Sequence, residues 1–459
     1  MGRIVLDIST LYLWTTRDVG ITRTERMLAI RLLSNPDSTF VRYDRSALTY
    51  VDVPRSTVSS IVAGRSAQGN ADVTSAGAPP IGWKRRTLRA AKQVAIRAER
   101  IVPAPARADY WAGVRHLRLA AKRSLPRNSP ALGAPVVATP NLSPCDLRAS
   151  DTYVSVGLDW DSNSYSHLYG LKHRIGFKVI LTCYDLIPVM FPQYIGSEEA
   201  FYGGHFVDLV HTADVVACIS ETSKRDLLAF TQREGLPTPP AKVILLGADF
   251  SLSVAVPNDD APMVDGAFVL MVGTIEPRKN HRLAFALWER LAQKRGTATP
   301  KLIVVGRQGW RVDDLMLHLA LNPALRDVIE IKHDVSDGEL TWLYENCRFT
   351  ILPSLYEGWG LPVVESTAHG KVCVASTAPA VVEAGLGAAI HIDTFDQPAW
   401  LAMIEELLDD PASLAAHERR VEAVRGSLAE RLSWDRYVLD ILALADSIAD
   451  TSSSSVQAP

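Results

Sequence analysis

The sequence predicts an α/β protein built from two doubly wound, parallel-sheet halves. Three observations carry this. The chain has 459 residues, more than one hydrophobic core comfortably organises, so two domains are expected. Short β-rich runs alternate with amphipathic stretches in both halves, the sequence sign of βαβ units. Several of those runs are continuously apolar, as strands covered on both faces should be.

In the first half the expected strands are Arg3–Ile8, Tyr153–Gly157, Lys178–Thr182, Val215–Ile219 and Lys242–Leu246. In the second they are Phe268–Val272, Lys301–Val305, Val328–Ile331, Phe349–Leu352 and Val372–Ala375. The Pro-, Asn- and Asp-rich stretch Val254–Asp265 reads as the linker. The expected division is an N-terminal domain over 1–255 with a flexible and basic insertion at about 56–130, and a C-terminal domain over 262–430. Trp434–Ile448 has an apolar stripe of Tyr437, Ile441, Leu444 and Ile448 at helical spacing. It predicts a terminal helix over 431–450, able to pack back on the first domain, ahead of a disordered tail over 451–459.

Composition narrows the class. Hydrophobic residues make up 47% and charged residues 22%, an ordinary globular balance. The five cysteines stand singly with no C-x-x-C pair, which argues against a zinc knuckle or a disulfide framework and suits a reducing compartment. No window approaches the roughly 20 apolar residues of a membrane span, and the start of the chain lacks the features of a secretory signal. A cytoplasmic protein is expected. The net charge of -3 hides a basic block from Lys84 to Arg127, where 13 Lys or Arg face only Glu99 and Asp109. Such a block suits close anionic surfaces such as lipid phosphates, giving peripheral contact with the inner face of the cytoplasmic membrane. The alternative is a solvated basic helix. Few aromatics accompany the block, which argues against nucleic acid.

The strand Phe268–Val272 runs into Gly273-Thr274-Ile275-Glu276-Pro277-Arg278-Lys279-Asn280-His281. In open α/β sheets ligands bind beyond the carboxyl ends of the strands, which is where Arg278 and Lys279 fall. Two adjacent cations there form a diphosphate clamp that stabilises the charge growing on a departing nucleotide diphosphate. A metal is then unnecessary. The competing reading is a solvated basic turn capped by Asn280. After Phe349–Leu352 comes Pro353-Ser354-Leu355-Tyr356-Glu357-Gly358-Trp359-Gly360-Leu361-Pro362-Val363-Val364-Glu365. Gly358 and Gly360 permit a tight loop with exposed N–H groups, and Pro362 opens a helix whose N-terminus favours phosphate. Glu357 on the loop and Glu365 in the first helical turn can accept from sugar and ribose hydroxyls, whereas a glycosidase-like acid/base pair is not implied.

These stretches together resemble the retaining glycosyltransferases of the GT-B fold (glycosyl transferase group 1), the family of bacterial mannosyltransferases and sucrose synthase. Asp334-Val335-Ser336-Asp337-Gly338-Glu339-Leu340 with Leu343-Tyr344 matches the family's segment after the middle strand. The resemblance, closest over Phe268 to Leu442, implies two Rossmann-like domains facing a central cleft. It implies that Gly273, Arg278 and Lys279 hold the diphosphate, that backbone near Val335 meets the base, and that Gly358, Gly360 and Leu361 line the donor loop. Glu365 would hold the ribose, and Glu357 would face the transferred sugar.

In the first half, Gly20-Ile21-Thr22-Arg23-Thr24-Glu25-Arg26 matches a family loop that approaches donor phosphates and acceptor. Tyr184-Asp185-Leu186-Ile187-Pro188 and Ile219–Leu227 resemble transferases acting on surface polysaccharides. Asp185 joins Glu357, Arg278 and Lys279 as a catalytic candidate. Relatives commonly have His where Tyr184 stands, and His205 and His211 are possible substitutes that read more naturally as structural. Asp159-Trp160-Asp161 could hold a divalent metal on a donor diphosphate in a different fold, but it sits opposite the cationic clamp. The expected activity is retaining, metal-independent transfer of a hexose, most plausibly mannose from GDP-mannose, to a lipid-linked or surface glycan. Such an activity would serve O-antigen, capsule or exopolysaccharide synthesis. Rhamnosyl or glucosyl transfer is an alternative, as is an inactive nucleotide-sugar-binding or scaffolding subunit.

Overall fold

The computed structural model describes residues 2–13, 20–63, 143–195, 199–248, 264 and 266–450. The expected basic block at 84–127, most of the predicted insertion, the Val254–Asp265 linker apart from residue 264, and the tail all lie outside the described residues. Residues 56–62, placed in the flexible insertion by sequence, belong to the helix Arg55–Val62. Val58 and Ile61, three apart, are buried in the core of the first half, and the Arg55 guanidinium bonds the carbonyls of Leu33, Asn35 and Ser38. The polar composition concealed those anchors.

The first half is a seven-stranded sheet. Its strands are β1 Ile4–Asp7, β2 Ser38–Asp44, β3 Thr49–Asp52, β4 Thr152–Ser155, β5 Lys178–Cys183, β6 Val215–Cys218 and β7 Ala241–Val243. They lie in the order β3-β2-β1-β4-β5-β6-β7, all parallel except β3, which runs antiparallel along β2. The second half has six parallel strands: β8 Phe268–Val272, β9 Lys301–Val305, β10 Ile329–Lys332, β11 Thr350–Leu352, β12 Cys373–Ser376 and β13 Ile390–Ile392. Their order is β10-β9-β8-β11-β12-β13. Both sheets therefore reverse direction beside their first strand, and each has its topological switch point there, at β1/β4 and at β8/β11. The expected doubly wound α/β architecture is present in both halves.

The sequence reading missed β2, β3 and β13. Arg42 and Asp44 interrupt the apolar run of β2, but they pair with each other at 3.1 Å, and Arg42 also lies over the Tyr12 ring. A charged residue could thus enter a buried strand. The strand β13 has only three residues, too few for an alternation to register.

The helix Trp434–Asp450 lies beyond the second sheet in sequence yet buries Trp434, Tyr437, Ile441 and Leu444 in one cluster with Ile4, Leu6, Ile180 and Ala217 of the first. The same cluster includes Leu352, Trp359, Val363 and Val381 of the second half, so apolar packing is continuous between the two. Among the described residues no helix is long and apolar enough to cross a membrane.

Candidate active site at the junction of the two sheets

The donor-side candidates converge at the second switch point. Beyond β8 the chain passes Gly273, at φ +148, and enters a single 3-10 turn, Pro277–Lys279. Beyond β11 it forms the loop that ends at Gly360, φ +143, where the helix Leu361–Ala368 begins. The two loops are stitched together: Leu355 N–H donates to the Arg278 carbonyl at 2.7 Å and Asn280 Nδ2 to the Pro353 carbonyl at 3.2 Å. Asn280 ends that turn, its N–H on the Pro277 carbonyl at 3.1 Å, but the turn is not a solvated one, since Lys279 is buried.

Glu357 is the centre of the arrangement. Its Oε1 accepts from Lys279 Nζ at 2.5 Å and from Ser354 Oγ at 2.7 Å, while Oε2 pairs with Arg278 Nη1. Arg278 also bonds Glu276 through Nε at 2.8 Å. The two cations foreseen as an open clamp are thus already occupied by two carboxylates. Charge compensation is the physical reason, since buried cations without counter-charges are strongly unfavourable. Burial alone would raise the Glu357 carboxyl, but Arg278 and Lys279 draw it down to about 2. Burial disfavours the Arg278 charge too, yet Glu357 and Glu276 together raise its pKa further. Burial lowers that of Lys279 against the pull of Glu357. Glu276 and Ser354 were in the quoted motifs without an assigned part. Their contribution shows only once the loops meet.

Asp185, following β5, closes the group from the other half. Burial raises its carboxyl and Arg278 opposes the shift. Gly358 explains the closeness: a Cβ there would lie 2.5 Å from the Tyr184 carbonyl oxygen and 2.9 Å from Asp185 Cβ. The Gly358 carbonyl accepts from Ser220 Oγ at 2.6 Å and Ser223 Oγ at 3.0 Å. This glycine serves an approach between the halves, rather than the exposed N–H group expected of it. Glu221 and Thr222, opening the helix Glu221–Glu234, donate backbone N–H groups to Glu383 of the second half at 2.9 and 2.8 Å.

Glu365 lies apart from Glu357, as the spacing allowed. The helix starts at Leu361, which moves Glu365 from the expected first turn into the second. Its Oε2 accepts from the Tyr344 hydroxyl at 2.8 Å, and its Oε1 faces Arg23 Nη1 at 3.7 Å. Gly20 begins the helix Gly20–Leu32, and a Cβ on it would meet Leu361 Cδ1 at 3.1 Å. Arg23 and Tyr344 are site residues that sequence reasoning quoted but did not single out. Val335 lies in the loop after β10 and packs, half-buried, against the cluster of Phe268, Leu270, Ile303 and Tyr344 with their neighbours.

The first switch point has a different chemistry. Asp7 ends β1, accepting from Tyr153 hydroxyl at 2.5 Å, Ser9 N–H at 2.6 Å and Asn163 Nδ2 at 3.0 Å. Asp159, beyond β4, accepts from Ser155 Oγ at 2.7 Å and from the Tyr165 hydroxyl. Glu25 Oε2 accepts from Leu11 N–H at 3.0 Å. Burial, reinforced by mutual repulsion, raises Glu25 and moves Asp159 up to about 7; burial raises Asp7 as well. Asp159 is therefore turned inward onto hydroxyls, not outward as a metal ligand. Tyr184 donates its hydroxyl to the Val156 carbonyl at 2.7 Å, inside its own half. His205 stacks on Tyr165 at 4.9 Å, and burial lowers its pKa to about 4. His211 lies on the same helix, Glu199–Thr212.

The family profile of glycosyl transferases group 1 matches residues 259–425, which contain every donor-side residue described above. Over residues 259–425 the chain is similar to the glycosyl transferases group 1. The serotype-specific mannosyltransferase WbdA of Escherichia coli is 31% identical over 196 residues, 40% of this chain and 24% of that one. The chain therefore spans about a quarter of the length of that relative. O-antigen chain mannosyltransferase B of Escherichia coli is 25% identical over 273 residues, 58% of this chain and 69% of that one. Sucrose-phosphate synthase from Thermosynechococcus elongatus superposes with TM-score 0.58 at 15% identity, over 98% of this chain and 100% of that one. The Anabaena protein Alr3699/HepE, in complex with UDP and glucose, gives 0.59 at 13% identity over 97% and 100%. At these identities the likeness is one of fold, and it spans both halves.

Proposed function

We propose that the protein is a retaining glycosyltransferase that moves a hexose, mannose from GDP-mannose, onto a lipid-linked or surface glycan. One observation carries the reading: Glu357 bridges Arg278 and Lys279 at the switch point of the donor sheet. A donor diphosphate has the charge to replace that bridge. Arg278 and Lys279 would neutralise the leaving nucleoside diphosphate, and the displaced Glu357 would accept hydroxyls of the sugar. The anomeric C–O bond to phosphate breaks, and the acceptor oxygen bonds the same face of that carbon. The acceptor proton passes to the leaving phosphate oxygen. No metal is required, because two fixed cations supply the counter-charge. The mannosyltransferases among the relatives support the sugar, and an O-antigen or related glycan is the acceptor class their names suggest.

The test is transfer and donor hydrolysis by purified protein with GDP-mannose, beside UDP-glucose and dTDP-rhamnose. Activity that falls by about 10²–10³-fold in Lys279→Ala and Glu357→Ala, survives chelator, and yields product with the donor's anomeric configuration supports the proposal. Inverted product, or dependence on added metal, overturns it. Donor binding without turnover over a panel of acceptors would favour the binding-subunit reading, for which the internal commitment of the Tyr184 hydroxyl is the supporting observation.

A further inference from the structure

We propose that Arg23 is a positioning residue supplied by the first half to the nucleotide site of the second, holding the Glu365 carboxylate open as an acceptor for the ribose diol. The inference rests on the glycosyltransferase reading above and concerns what makes its nucleotide subsite competent.

Glu365 is buried, with 10% of its side chain exposed. One oxygen is taken by the Tyr344 hydroxyl at 2.8 Å. The other faces Arg23 Nη1 at 3.7 Å, within ion-pair range but beyond a hydrogen bond. Arg23 is steadied there by Asp337, whose Oδ1 accepts from Nη2 at 3.3 Å. The contact is not incidental to a loose surface, because Gly20, three residues earlier, brings the start of its helix against Leu361 at the start of the helix bearing Glu365.

The chemistry asks for a counter-charge at that place. An ionised carboxylate accepts at both oxygens, whereas a protonated one loses acceptor capacity and gains a donor. Burial favours the protonated form. The groups facing Glu365 are few. Tyr344 is kept neutral by burial, which pushes its hydroxyl up, and Asp337 opposes ionisation. His369, stacked on Tyr344 at 5.1 Å, is held neutral by burial, its pKa lowered to about 4. Lys279 is bonded to Glu357 at 2.5 Å. Arg23 is the cation that most strongly opposes the effect of burial on Glu365, with Lys279 adding a smaller pull, and it comes from the opposite half. The ribose contact is complete only while the two halves are together.

Calorimetric binding of GDP and UDP between pH 5.5 and 8.5 tests this with the wild-type chain, Arg23→Gln, Arg23→Lys and Glu365→Gln. Arg23→Gln should weaken binding about tenfold at the acid end, recovering toward wild type as the pH rises and Glu365 ionises. Arg23→Lys should restore most of the loss, and Glu365→Gln should bind weakly with no dependence on pH. A loss in Arg23→Gln that is equal at every pH, or no loss, overturns the assignment. A wild-type chain that binds neither nucleotide overturns the glycosyltransferase reading, and the assignment with it.

Discussion

The two switch points of this molecule occupy equivalent places in equivalent sheets, and they handle buried charge in opposite ways. At β8/β11 acids and bases are interleaved: Glu276, Arg278, Glu357 and Lys279 pair in sequence. At β1/β4 three carboxylic groups stand close together: Asp7 and Asp159 among Tyr, Ser and Asn donors, and Glu25 against the Leu11 N–H. Paired charges stay ionised and can be exchanged for those of a ligand. Isolated acids lower their cost by keeping protons, and then serve as internal crosslinks. The difference teaches that topology marks where a ligand could sit, while charge pairing marks which of two such places is equipped for an anionic one.

The sharpest way to break this comparison is to strand the cations. Glu357→Leu should destabilise the fold by about 3–5 kcal/mol, toward the lower end because Arg278 retains 20% exposure. Adding Lys279→Met should return part of the loss in chemical denaturation; additive losses would mean the pair is not coupled. Next comes the seam between the halves. Gly358→Ala places a methyl 2.5 Å from the Tyr184 carbonyl, an overpacking expected to cost about 1–3 kcal/mol and to lower turnover together with donor affinity.

The acid cluster is tested through pH. Burial, with the nearby Asp7 charge, pushes the Asp159 carboxyl up to about 7, well above the ordinary carboxylate range. Its contribution is therefore fully present below the unfolded pKa and is lost as the pH rises toward 7. Stability should decline across that window by up to about 1.4 kcal/mol per pH unit, and Asp159→Asn should flatten the decline. Glu357 has the opposite sign: its contribution is present above the unfolded value and lost as the pH falls toward 2. The smallest effect is expected from Tyr184→Phe, which removes one hydroxyl donated to Val156. About 1 kcal/mol of stability, with an unchanged pH profile of turnover, would separate this residue from the proton-carrying role that a histidine could fill.

How legible all this was in the sequence depended on range. Phe268–Val272 is an uninterrupted apolar run, Lys301–Val305 is one after its opening lysine, and both stand at the boundaries expected. The charge inside β2 and the brevity of β13 hid those strands. The site residues were visible as types at motif positions, because Arg278 and Lys279 are adjacent and Glu357 follows a strand. Their pairing was not, since it joins positions 78 and 79 apart through two loops. Arg23 and Glu365 are far more distant in sequence, and no periodicity reports a contact made by two helix ends meeting across a cleft. The sequence predicted the presence of cations; only the fold reveals that they are already neutralised.

The return of the last helix to the first sheet has a mechanical consequence. The chain leaves the first half after Ala248 and re-enters it at Trp434, and those two passages are fastened together by Ala248 N–H donating to the Leu432 carbonyl at 2.7 Å. Gly247 lies so close that a Cβ would stand 2.5 Å from the Trp434 ring. Any movement that separated the halves while keeping this joint would part Arg23 from Glu365 and Ser220 from Gly358 together.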